Sequence, residues 1–401
     1  MTGLQGRKIL FGVTGSIAAF KAAGWVHALV KEEARVTVVM TGAAVRFVAP
    51  LTFSALSGNR VHVDMFADDP DQAMAHITLA HEADLVLIAP ATANTMAKLA
   101  HGLADNLLTT VVLAAAGKPV LVCPAMNSAM YAHQATRDAA HRLRELGYTL
   151  VEPACGRLAC GDEGPGRLSE WDVVREELLR RCSRNDLQGQ HVLITAGPTR
   201  EPLDPARFLS NRSSGKMGFA LARTARRRGA AVTLIAGPVA LEDPPGVEVI
   251  RVTTAAEMRA AVMEQRDRAT VIVKAAAVAD FRPARPSAAK MKKRDAPAAI
   301  ELVENVDILA ELGRNRKAGQ VLVGFAAESD NLEEEGRRKL QAKNLDLVVV
   351  NDIGRSDAGF DVDTNQAILV DRTGSLTLPL LSKEQTADRI WDHVGTMIPE
   401  M

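Results

Sequence analysis

The 401-residue chain is 47% hydrophobic and 24% charged, and its 48 basic and 48 acidic residues give a formal net charge of zero. This balance gives no electrostatic basis for binding nucleic acid or an acidic membrane surface. The length is too great for one ordinary core but suits two domains of about 200 residues each.

No apolar run approaches the ~18 residues that a membrane-crossing helix needs, and the N-terminus has no signal-peptide core. The four cysteines are too few for a disulfide framework and form no C-x-x-C pair, so a zinc site is not indicated. We therefore expect a cytoplasmic protein without a structural metal.

The layout at the start of the chain recurs in its middle. Residues 187–197, Leu-Gln-Gly-Gln-His-Val-Leu-Ile-Thr-Ala-Gly, repeat the polar lead-in, short apolar run and Gly-containing turn of residues 4–15. A βα unit of this kind opens an α/β sheet. The repeat predicts two nucleotide-type domains in tandem, residues 1–186 and 187–401.

In the first half, short apolar runs alternate with helical patterns at the spacing of βαβ units, which predicts a mostly parallel sheet with helices on both faces. Strands are predicted at 8–13, 36–40, 84–89, 120–123 and 148–151. Helices are predicted at 16–31, 95–99, 106–115, 134–146 and 171–182. Ser16 is placed to cap the first helix. Ligands of such sheets bind at the carboxyl ends of the strands.

Three of those strand ends carry unusual loops. The turn at 12–19 lacks the full G-x-G-x-x-G spacing, so it is either a plain tight turn or a site for one phosphate at a helix N-terminus. The loop at 89–95 has small and amide side chains, which would let a flat heterocycle lie close to the backbone. Asn127, in Pro-Ala-Met-Asn, either orients a substrate carboxylate or caps the next helix.

Two further features precede and follow these loops. His76 has no metal-ligand spacing around it, and a solitary His is either a structural hydrogen-bonding group or a base. The loop 153–168 combines glycines with Cys155 and Cys160. We interpret it as a hinged lid whose thiol could supply a proton over a bound ligand.

His76, Pro124-Ala-Met-Asn127 and Ala159-Cys-Gly-Asp-Glu-Gly-Pro-Gly-Arg-Leu168 together resemble the flavin-containing cysteine decarboxylases, specifically those acting on phosphopantothenoylcysteine. The resemblance implies a flavodoxin-like domain that binds FMN, with His76 next to the flavin, Asn127 on the substrate carboxylate and Cys160 as proton donor. The implied FMN contacts are Gly15, Ser16, Thr41, Pro90, Thr92 and Asn94. Tyr131 and Leu168 stand where the family usually has Trp and Met, which bears on substrate fit.

The second half again follows a Rossmann-like order. Strands are predicted at 191–195, 231–235, 247–252, 270–274 and 345–351. Helices are predicted at 215–228, 255–265, 332–343 and 383–394, with a hairpin over 367–379. Between the first strand and helix, a long loop ends in Asn-Arg-Ser-Ser-Gly-Lys, whose hydroxyls and cations suit an anion at a helix N-terminus.

Past the fourth strand, Asp280 is followed by the basic run Lys290-Met-Lys-Lys-Arg. Alone the run indicates a solvated face, but beside Asp280 and an anion loop it favours a nucleoside triphosphate site. These residues are similar to those of the phosphopantothenate-cysteine ligases, and the resemblance implies that Asn211 serves an acyl-cytidylate step supported by Mg²⁺. The implied CTP contacts are Asp280, Lys290, Val306, Asp307, Ile308, Leu309, Phe325, Lys339 and Lys343. The family usually has Pro at the position of Val306.

The two halves together resemble the bifunctional enzymes of coenzyme A biosynthesis, in the same order. This implies that cysteine and 4'-phosphopantothenate are joined at the expense of CTP, and that the product is then decarboxylated to 4'-phosphopantetheine with no net redox change. It also implies a large homo-oligomer with flavin sites at subunit interfaces.

Two other classes of protein fit the sequence less well. An NAD(P)-dependent oxidoreductase would need the missing G-x-G-x-x-G and an acidic ribose-binding residue. A flavin-binding regulatory protein on the decarboxylase fold would have lost its lid or its histidine, whereas His76, Asn127 and Cys160 are all present. The second reading also leaves residues 187–401 unexplained.

Overall fold

The computed structural model describes residues 3–66, 74–158, 161–292, 299–328, 330–352 and 362–398. Within it the chain divides into two compact units, Met1–Ser183 and Arg184–Met401. Each unit is built on its own sheet and is described by itself. Among the described residues no helix combines the length and the apolar character needed to cross a membrane.

The first unit contains a six-stranded parallel sheet in the order β3-β2-β1-β4-β5-β6. Its strands are β1 (Lys8–Val13), β2 (Arg35–Met40), β3 (Val61–His62), β4 (Leu85–Ala91), β5 (Val120–Pro124) and β6 (Thr149–Leu150). The α/β expectation is confirmed, and the five predicted strands lie within two residues of their predicted ends. Strand β3 was not predicted, because only two of its residues pair with β2.

Helices cover both faces of this sheet. They are α1 (Ala19–Lys31), α2 (Gly42–Val45), α3 (Pro50–Ser57), α4 (Ala75–Glu82), α5 (Ala93–His101), α6 (Leu107–Ala114), α7 (Ser128–Ala132), α8 (Gln134–Glu145) and α9 (Trp171–Cys182). Side chains of β1 alternate between two apolar clusters, Phe11 and Val13 on one face and Leu10 on the other. Burial on both faces explains why the strands are continuous apolar runs.

One prediction for this unit was wrong. The first helix begins at Ala19 rather than at Ser16, and the Ser16 hydroxyl accepts from the Ala18 backbone N–H at 3.4 Å in the preceding turn. The glycine-rich loop contains a two-stranded antiparallel ribbon that was not predicted, β7 (Ala154–Arg157) and β8 (Glu163–Arg167). Its glycines hide the alternating pattern by which a strand is recognised in a sequence.

The second unit contains an eight-stranded sheet in the order β13-β12-β9-β14-β17-β18-β20-β21. Its strands are β9 (His191–Ala196), β12 (Ala231–Ala236), β13 (Glu248–Arg251), β14 (Val271–Lys274), β17 (Val321–Glu328), β18 (Leu347–Asp352), β20 (Ala367–Asp371) and β21 (Ser375–Thr377). The strands from β13 to β18 are all parallel to their neighbours. Strand β20 is antiparallel to β18 and forms with β21 the hairpin predicted over 367–379.

Three small ribbons lie outside this sheet. They pair β10 (Arg200–Asp204) with β11 (Arg207–Ser210), β15 (Phe281–Pro283) with β16 (Leu302–Glu304), and β19 (Thr364–Asn365) with β22 (Leu381–Ser382). The helices are α10 (Lys216–Arg227), α11 (Ala255–Gln265), α12 (Ile308–Arg314), α13 (Leu332–Ala342) and α14 (Lys383–Gly395). Trp391 of α14 is fully buried, and its indole N–H lies 2.9 Å from Thr224 Oγ1 of α10.

Helix α10 lies directly on β9, at a glycine that leaves no room for a side chain. A Cβ on Gly218 would fall 2.4 Å from the Cβ of Ala196, whereas a Cβ on Gly24 in α1 would meet nothing within 4 Å. We expect Gly218→Ala to lower the free energy of unfolding by about 1–3 kcal/mol through overpacking. Gly24→Ala should raise it by about 0.5–1 kcal/mol through helix propensity. Calorimetric unfolding of the two variants checks this, and equal effects would contradict the close contact.

Candidate active sites

The first candidate site lies at the carboxyl edge of the first sheet, where the loops after β1, β2, β4 and β5 meet because these strands are parallel. Thr14 joins two of these loops. Its buried hydroxyl donates to the Pro90 carbonyl at 2.6 Å and accepts from the Thr92 backbone N–H at 3.0 Å. The loop after β4 is therefore fixed against the turn that leads to α1.

Hydroxyl side chains cap the short helices at this edge. Thr41 caps α2 by accepting from the Ala44 N–H at 3.3 Å, and Thr92 caps α5 by accepting from the Thr95 N–H at 3.3 Å. Pro90 is buried, Thr92 is half-buried and Asn94 is exposed. Capping at several neighbouring strand ends directs helix N-termini to one edge, and such termini favour an anion.

The turn at Gly15 tests whether this edge fits a flavin nucleotide. A Cβ on Gly15 would lie 2.5 Å from the Cβ of Ala43, so the turn leaves no space for a larger residue. The Ser16 hydroxyl lies beside it in the turn that precedes α1. A phosphate suits this turn, and the small residues of the 90–94 loop suit a flat ring system against backbone. The residues present therefore fit FMN.

Asn127 caps the helix that follows β5 and also contacts a carboxylate. Its Oδ1 accepts from the Ala129 N–H at 2.8 Å, while its Nδ2 donates to Asp162 Oδ2 at 2.9 Å. Both sequence interpretations of Asn127 are therefore compatible, because the oxygen serves the cap and the amide nitrogen remains directed at an anion. The neighbouring Ser128 Oγ is buried, with no hydrogen-bond partner among the described residues.

The β7–β8 ribbon packs against the Asn127 loop. The Met126 N–H donates to the Gly166 carbonyl at 2.9 Å, and a Cβ on Gly166 would lie 2.2 Å from Met126 O. Gly166 has a φ of 136°, so a larger residue would be strained as well as obstructed. Cys160, the predicted proton donor, lies outside the described residues. Cys155 of β7 is an exposed free thiol.

His76 is the second residue of α4, and it is half-buried. Helix α4 leads into the amino end of β4, and its eight residues span about 12 Å. A connecting helix runs back along the strands, which directs its first residues toward the carboxyl edge. The element that carries His76 was not predicted, because its apolar residues are too few for a clear helical period.

The second candidate site lies at the carboxyl edge of the second sheet, between β9 and β14, where the strand order reverses direction. A pocket opens there at the N-terminus of α10. It is lined by Ser213–Gly218, Ala275–Ala277, Phe325–Ala327, Asn351, Asn365 and Lys383. Asn211 lies just before this helix, and its Nδ2 donates to the Ala277 carbonyl at 3.1 Å.

A charged cluster lies at the same edge on the opposite face of the sheet. Asp307 caps α12 by accepting from the Ala310 N–H at 2.9 Å, and it also pairs with Lys343 Nζ at 2.8 Å. Partial burial is the largest single effect on Asp307 and raises its pKa, but the hydrogen bond and charge of Lys343, together with the backbone N–H groups of α12, outweigh burial and hold the pKa below its usual range. Lys339 forms a separate ion pair with Glu328.

Lys274 was not assigned a role from the sequence, although it ends an apolar run, which is an unusual place for a charge. It is 6% exposed, and its Nζ lies 3.7 Å from Met258 Sδ. Burial lowers the pKa of Lys274 to about 7; repulsion by Lys343 acts in the same direction and attraction by Asp307 acts against it. At neutral pH Lys274 is therefore close to its pKa. It lies beneath the Asp307–Lys343 pair.

The remaining predicted nucleotide contacts divide between the two faces. Phe325 is half-buried in the α10 pocket, whereas Ile308 is buried in the core beneath α12. Asp280 is exposed, and its carbonyl accepts from the Asn305 N–H at 2.8 Å, which brings it next to the exposed Val306. Lys290 is exposed. The described residues contain no cluster of three or more His, Cys, Asp or Glu that could hold a metal.

Family models match both halves of the chain. The flavoprotein family matches residues 2–183, and the family described as DNA/pantothenate metabolism flavoprotein C-terminal domain matches residues 187–397. The chain is also similar to a solved structure of the C-terminal domain of a coenzyme A biosynthesis bifunctional protein CoaBC. That match has 41% identity and a TM-score of 0.46, and it covers 53% of this chain and 97% of the other.

Full-length relatives have the same two halves. The chain is 46% identical to the coenzyme A biosynthesis bifunctional protein CoaBC of Bacillus subtilis over 399 residues, covering 98% of both chains. It is 43% identical to the protein of that name from Escherichia coli, covering 99% of this chain and 98% of the other. The chain therefore belongs to the family of coenzyme A biosynthesis bifunctional proteins, with a flavoprotein decarboxylase half followed by a ligase half.

Proposed function

We propose that the two candidate sites divide the family's reactions as follows. The α10 pocket and the Asp307 cluster serve the ligase, which joins cysteine to 4'-phosphopantothenate. The carboxyl edge of the first sheet serves the decarboxylase, which converts 4'-phosphopantothenoylcysteine to 4'-phosphopantetheine. The observation that carries the second assignment is the hydrogen bond from Asn127 Nδ2 to a carboxylate oxygen of Asp162 at 2.9 Å.

In the decarboxylase half, we assign the phosphate of FMN to the Gly15–Ser16 turn and Thr41, and its ring to the 90–94 loop. When bound, FMN supplies a reversible two-electron acceptor, which makes loss of CO₂ from the cysteine moiety feasible. Asn127 binds the departing carboxylate through its amide nitrogen, which takes no part in the helix cap and contacts the Asp162 carboxylate. His76 is assigned next to the flavin, and Cys160 delivers a proton to the carbon chain after CO₂ has left.

In the ligase half, we propose CTP as the activating co-substrate. The carboxylate of 4'-phosphopantothenate attacks the α-phosphorus of CTP and releases pyrophosphate, which gives an acyl-cytidylate. The amine of cysteine then attacks the acyl carbon, CMP leaves and an amide forms. Bound Mg²⁺ would neutralise the triphosphate charge. Asn211 serves the acyl-cytidylate, and the lysines serve the phosphates as point charges.

The assignment of CTP contacts rests on the positions of the polar groups. Asp307 and Lys343 present a charged pair at the N-terminus of α12, and Asp280 adjoins the same loop through Asn305. We assign the nucleotide to this edge, with Val306, Ile308 and Leu309 as its apolar contacts on the α12 side and Phe325 as its contact from the α10 pocket. Lys290 and Lys339 are further cations. The serines before α10 lie where the reacting phosphate and carboxylate would meet.

We further propose that copies of the chain associate through the first unit and form flavin sites at subunit interfaces. Large apolar side chains are exposed there, among them Phe20 at 63%, Leu51 at 77% and Phe66 at 87%. Exposed apolar surface of this kind marks interaction sites. The low cysteine count supports a cytoplasmic location.

Cys160→Ser separates the two activities. With 4'-phosphopantothenate, cysteine, CTP and Mg²⁺, it should release pyrophosphate normally but lose CO₂ formation by about a hundredfold or more, because proton donation is removed. Cys155→Ser is the matched control, because that thiol lies in the same loop but was not assigned to the chemistry. The visible flavin spectrum should be unchanged in both variants. Normal CO₂ release by Cys160→Ser would refute the proton-donor assignment.

Asn127→Asp tests carboxylate binding apart from helix capping, because Asp caps a helix as well as Asn does. The new carboxylate would face the substrate carboxylate, so we expect kcat/KM for decarboxylation to fall by about a hundredfold, which corresponds to about 3 kcal/mol. Pyrophosphate release should not change, whereas the melting temperature should fall because the new carboxylate also faces Asp162. If decarboxylation also remains normal, Asn127 is only a cap.

Lys343→Gln tests the nucleotide side of the ligase site. Loss of the cation should raise KM for CTP about tenfold, the equivalent of about 1.4 kcal/mol. Lys317→Gln is the control, because Lys317 forms a comparable ion pair with Asp267 at 3.2 Å but was not assigned to the site. Pyrophosphate release at varied CTP concentration measures both. The same KM in both variants would remove Lys343 from the site.

A further inference from the structure

The tip of the β10–β11 hairpin holds the main chain next to Lys290. The Met291 N–H donates to Asp204 Oδ2 at 3.3 Å, and Arg207 Nη2 donates to the Met291 carbonyl at 3.0 Å. Both backbone polar groups of the residue that follows Lys290 are thus bound by one ion pair. The side chain of Lys290 itself is exposed.

Asp204 is unusually well bound for a carboxylate on a small hairpin. Its side chain is 0% exposed, and Oδ1 accepts from the Ala206 N–H at 2.8 Å and the Arg207 N–H at 2.9 Å. Oδ2 accepts from both Nε and Nη2 of Arg207, at 2.9 and 2.6 Å. The bonds from Arg207 come first in holding the pKa of Asp204 at about 2, so the carboxylate is charged at any working pH.

The base of the same hairpin is fixed to the sheet. The Arg200 N–H donates to the Thr253 carbonyl at 2.8 Å, and the buried Glu201 accepts from the Ala255 N–H at 2.9 Å. At the end of β11, Asn211 contacts Ala277 as described above. Near the tip, the Ser287 N–H donates to the Leu203 carbonyl at 2.9 Å. The hairpin is therefore a fixed connection from the Asn211 region to the segment that carries Lys290.

We propose that Asp204 is a positioning residue of the ligase half: with Arg207 it fixes the main chain at Met291 and so determines where Lys290 presents its amine. This rests on the assignment of Lys290 to the triphosphate under the proposed function. A lysine has a long flexible stem, and a fixed main chain limits the positions that its amine reaches. Asp204 acts through Lys290 and touches no substrate itself.

Asp204→Asn keeps the shape of the side chain but cannot keep all of its bonds. An amide has one oxygen, and if that oxygen accepts from the hairpin turn, its NH₂ group faces the Arg207 guanidinium and the Met291 N–H. The NH₂ group then faces two other hydrogen-bond donors, and the Met291 N–H has no acceptor at this position. Glu201→Gln is the matched control, because it neutralises a buried acid of the same strand that contacts Ala255 rather than Met291.

The first measurement is hydrogen exchange of the Met291 amide in the full-length protein. Asp204→Asn should speed this exchange about tenfold or more, since the amide loses its acceptor. Glu201→Gln should leave it unchanged. A second variant, Arg207→Lys, removes the forked contact to Asp204 and the bond from Nη2 to the Met291 carbonyl, and it should act in the same direction. Unchanged exchange in Asp204→Asn would overturn the proposal.

The second measurement is a double-mutant cycle on ligase kinetics. Asp204→Asn and Lys290→Gln should each lower kcat/KM for CTP about tenfold, and the double variant should be no worse than Lys290→Gln alone. Glu201→Gln should combine additively with Lys290→Gln. Additive losses for Asp204 would mean a general structural effect and overturn the proposal.

The cycle also distinguishes a failure of the Lys290 assignment from a failure of the positioning role of Asp204. If exchange at Met291 quickens while Lys290→Gln leaves CTP kinetics unchanged, the proposed assignment of Lys290 fails and the positioning role fails with it. If Lys290→Gln is impaired but Asp204→Asn is not, only the positioning role is refuted and the nucleotide assignment stands.

Discussion

Burial of both sheet faces is the constraint on which the rest of this structure depends. Strands such as β4, with all seven residues buried, have no surface on which a polar side chain could meet a ligand. Polar chemistry is left to the residues just beyond the strands, and parallel pairing brings those residues to one edge of each sheet. Both candidate sites lie at such an edge, although their residues and reactions differ.

Helix capping converts this edge into a site. Thr41, Thr92, Asn127 and Asp307 are each the N-cap of the helix that follows a strand end or loop of the site. A cap uses one acceptor and holds the side chain in a fixed orientation. In Asn127 the amide nitrogen contacts Asp162, and in Asp307 the second carboxylate oxygen pairs with Lys343. In each residue one polar atom therefore caps the helix, and a different atom makes the contact at the site.

The sequence predicted the regular parts of both units and missed the ribbons. Helices α9 and α11 begin and end at their predicted residues, because their apolar periods are bounded by polar caps and turns. The β7–β8, β10–β11 and β15–β16 ribbons are short, rich in Gly, Pro and charge, and stabilised by contacts to distant segments. The local sequence pattern of a ribbon does not predict its contacts to distant segments. Lys290 could be singled out from its basic run, but the bonds from Asp204 and Arg207 to its neighbour could not.

The two sites differ in how they hold charge, and this follows from the ligands proposed for them. The first edge relies on neutral hydroxyl and amide groups with helix N-termini, which suffices for one phosphate and one carboxylate. The second adds Lys290, Lys339 and Lys343 for a triphosphate. Cations close together repel one another, so two of these lysines have an acid within ion-pair distance, Glu328 and Asp307. Lys274 is buried beneath them without a carboxylate in ion-pair distance among the described residues, and burial is the main reason that its pKa is lowered to about 7. Attraction by Asp307 opposes this shift and repulsion by Lys343 adds to it, so burial, more than the neighbouring lysines, determines the charge of Lys274.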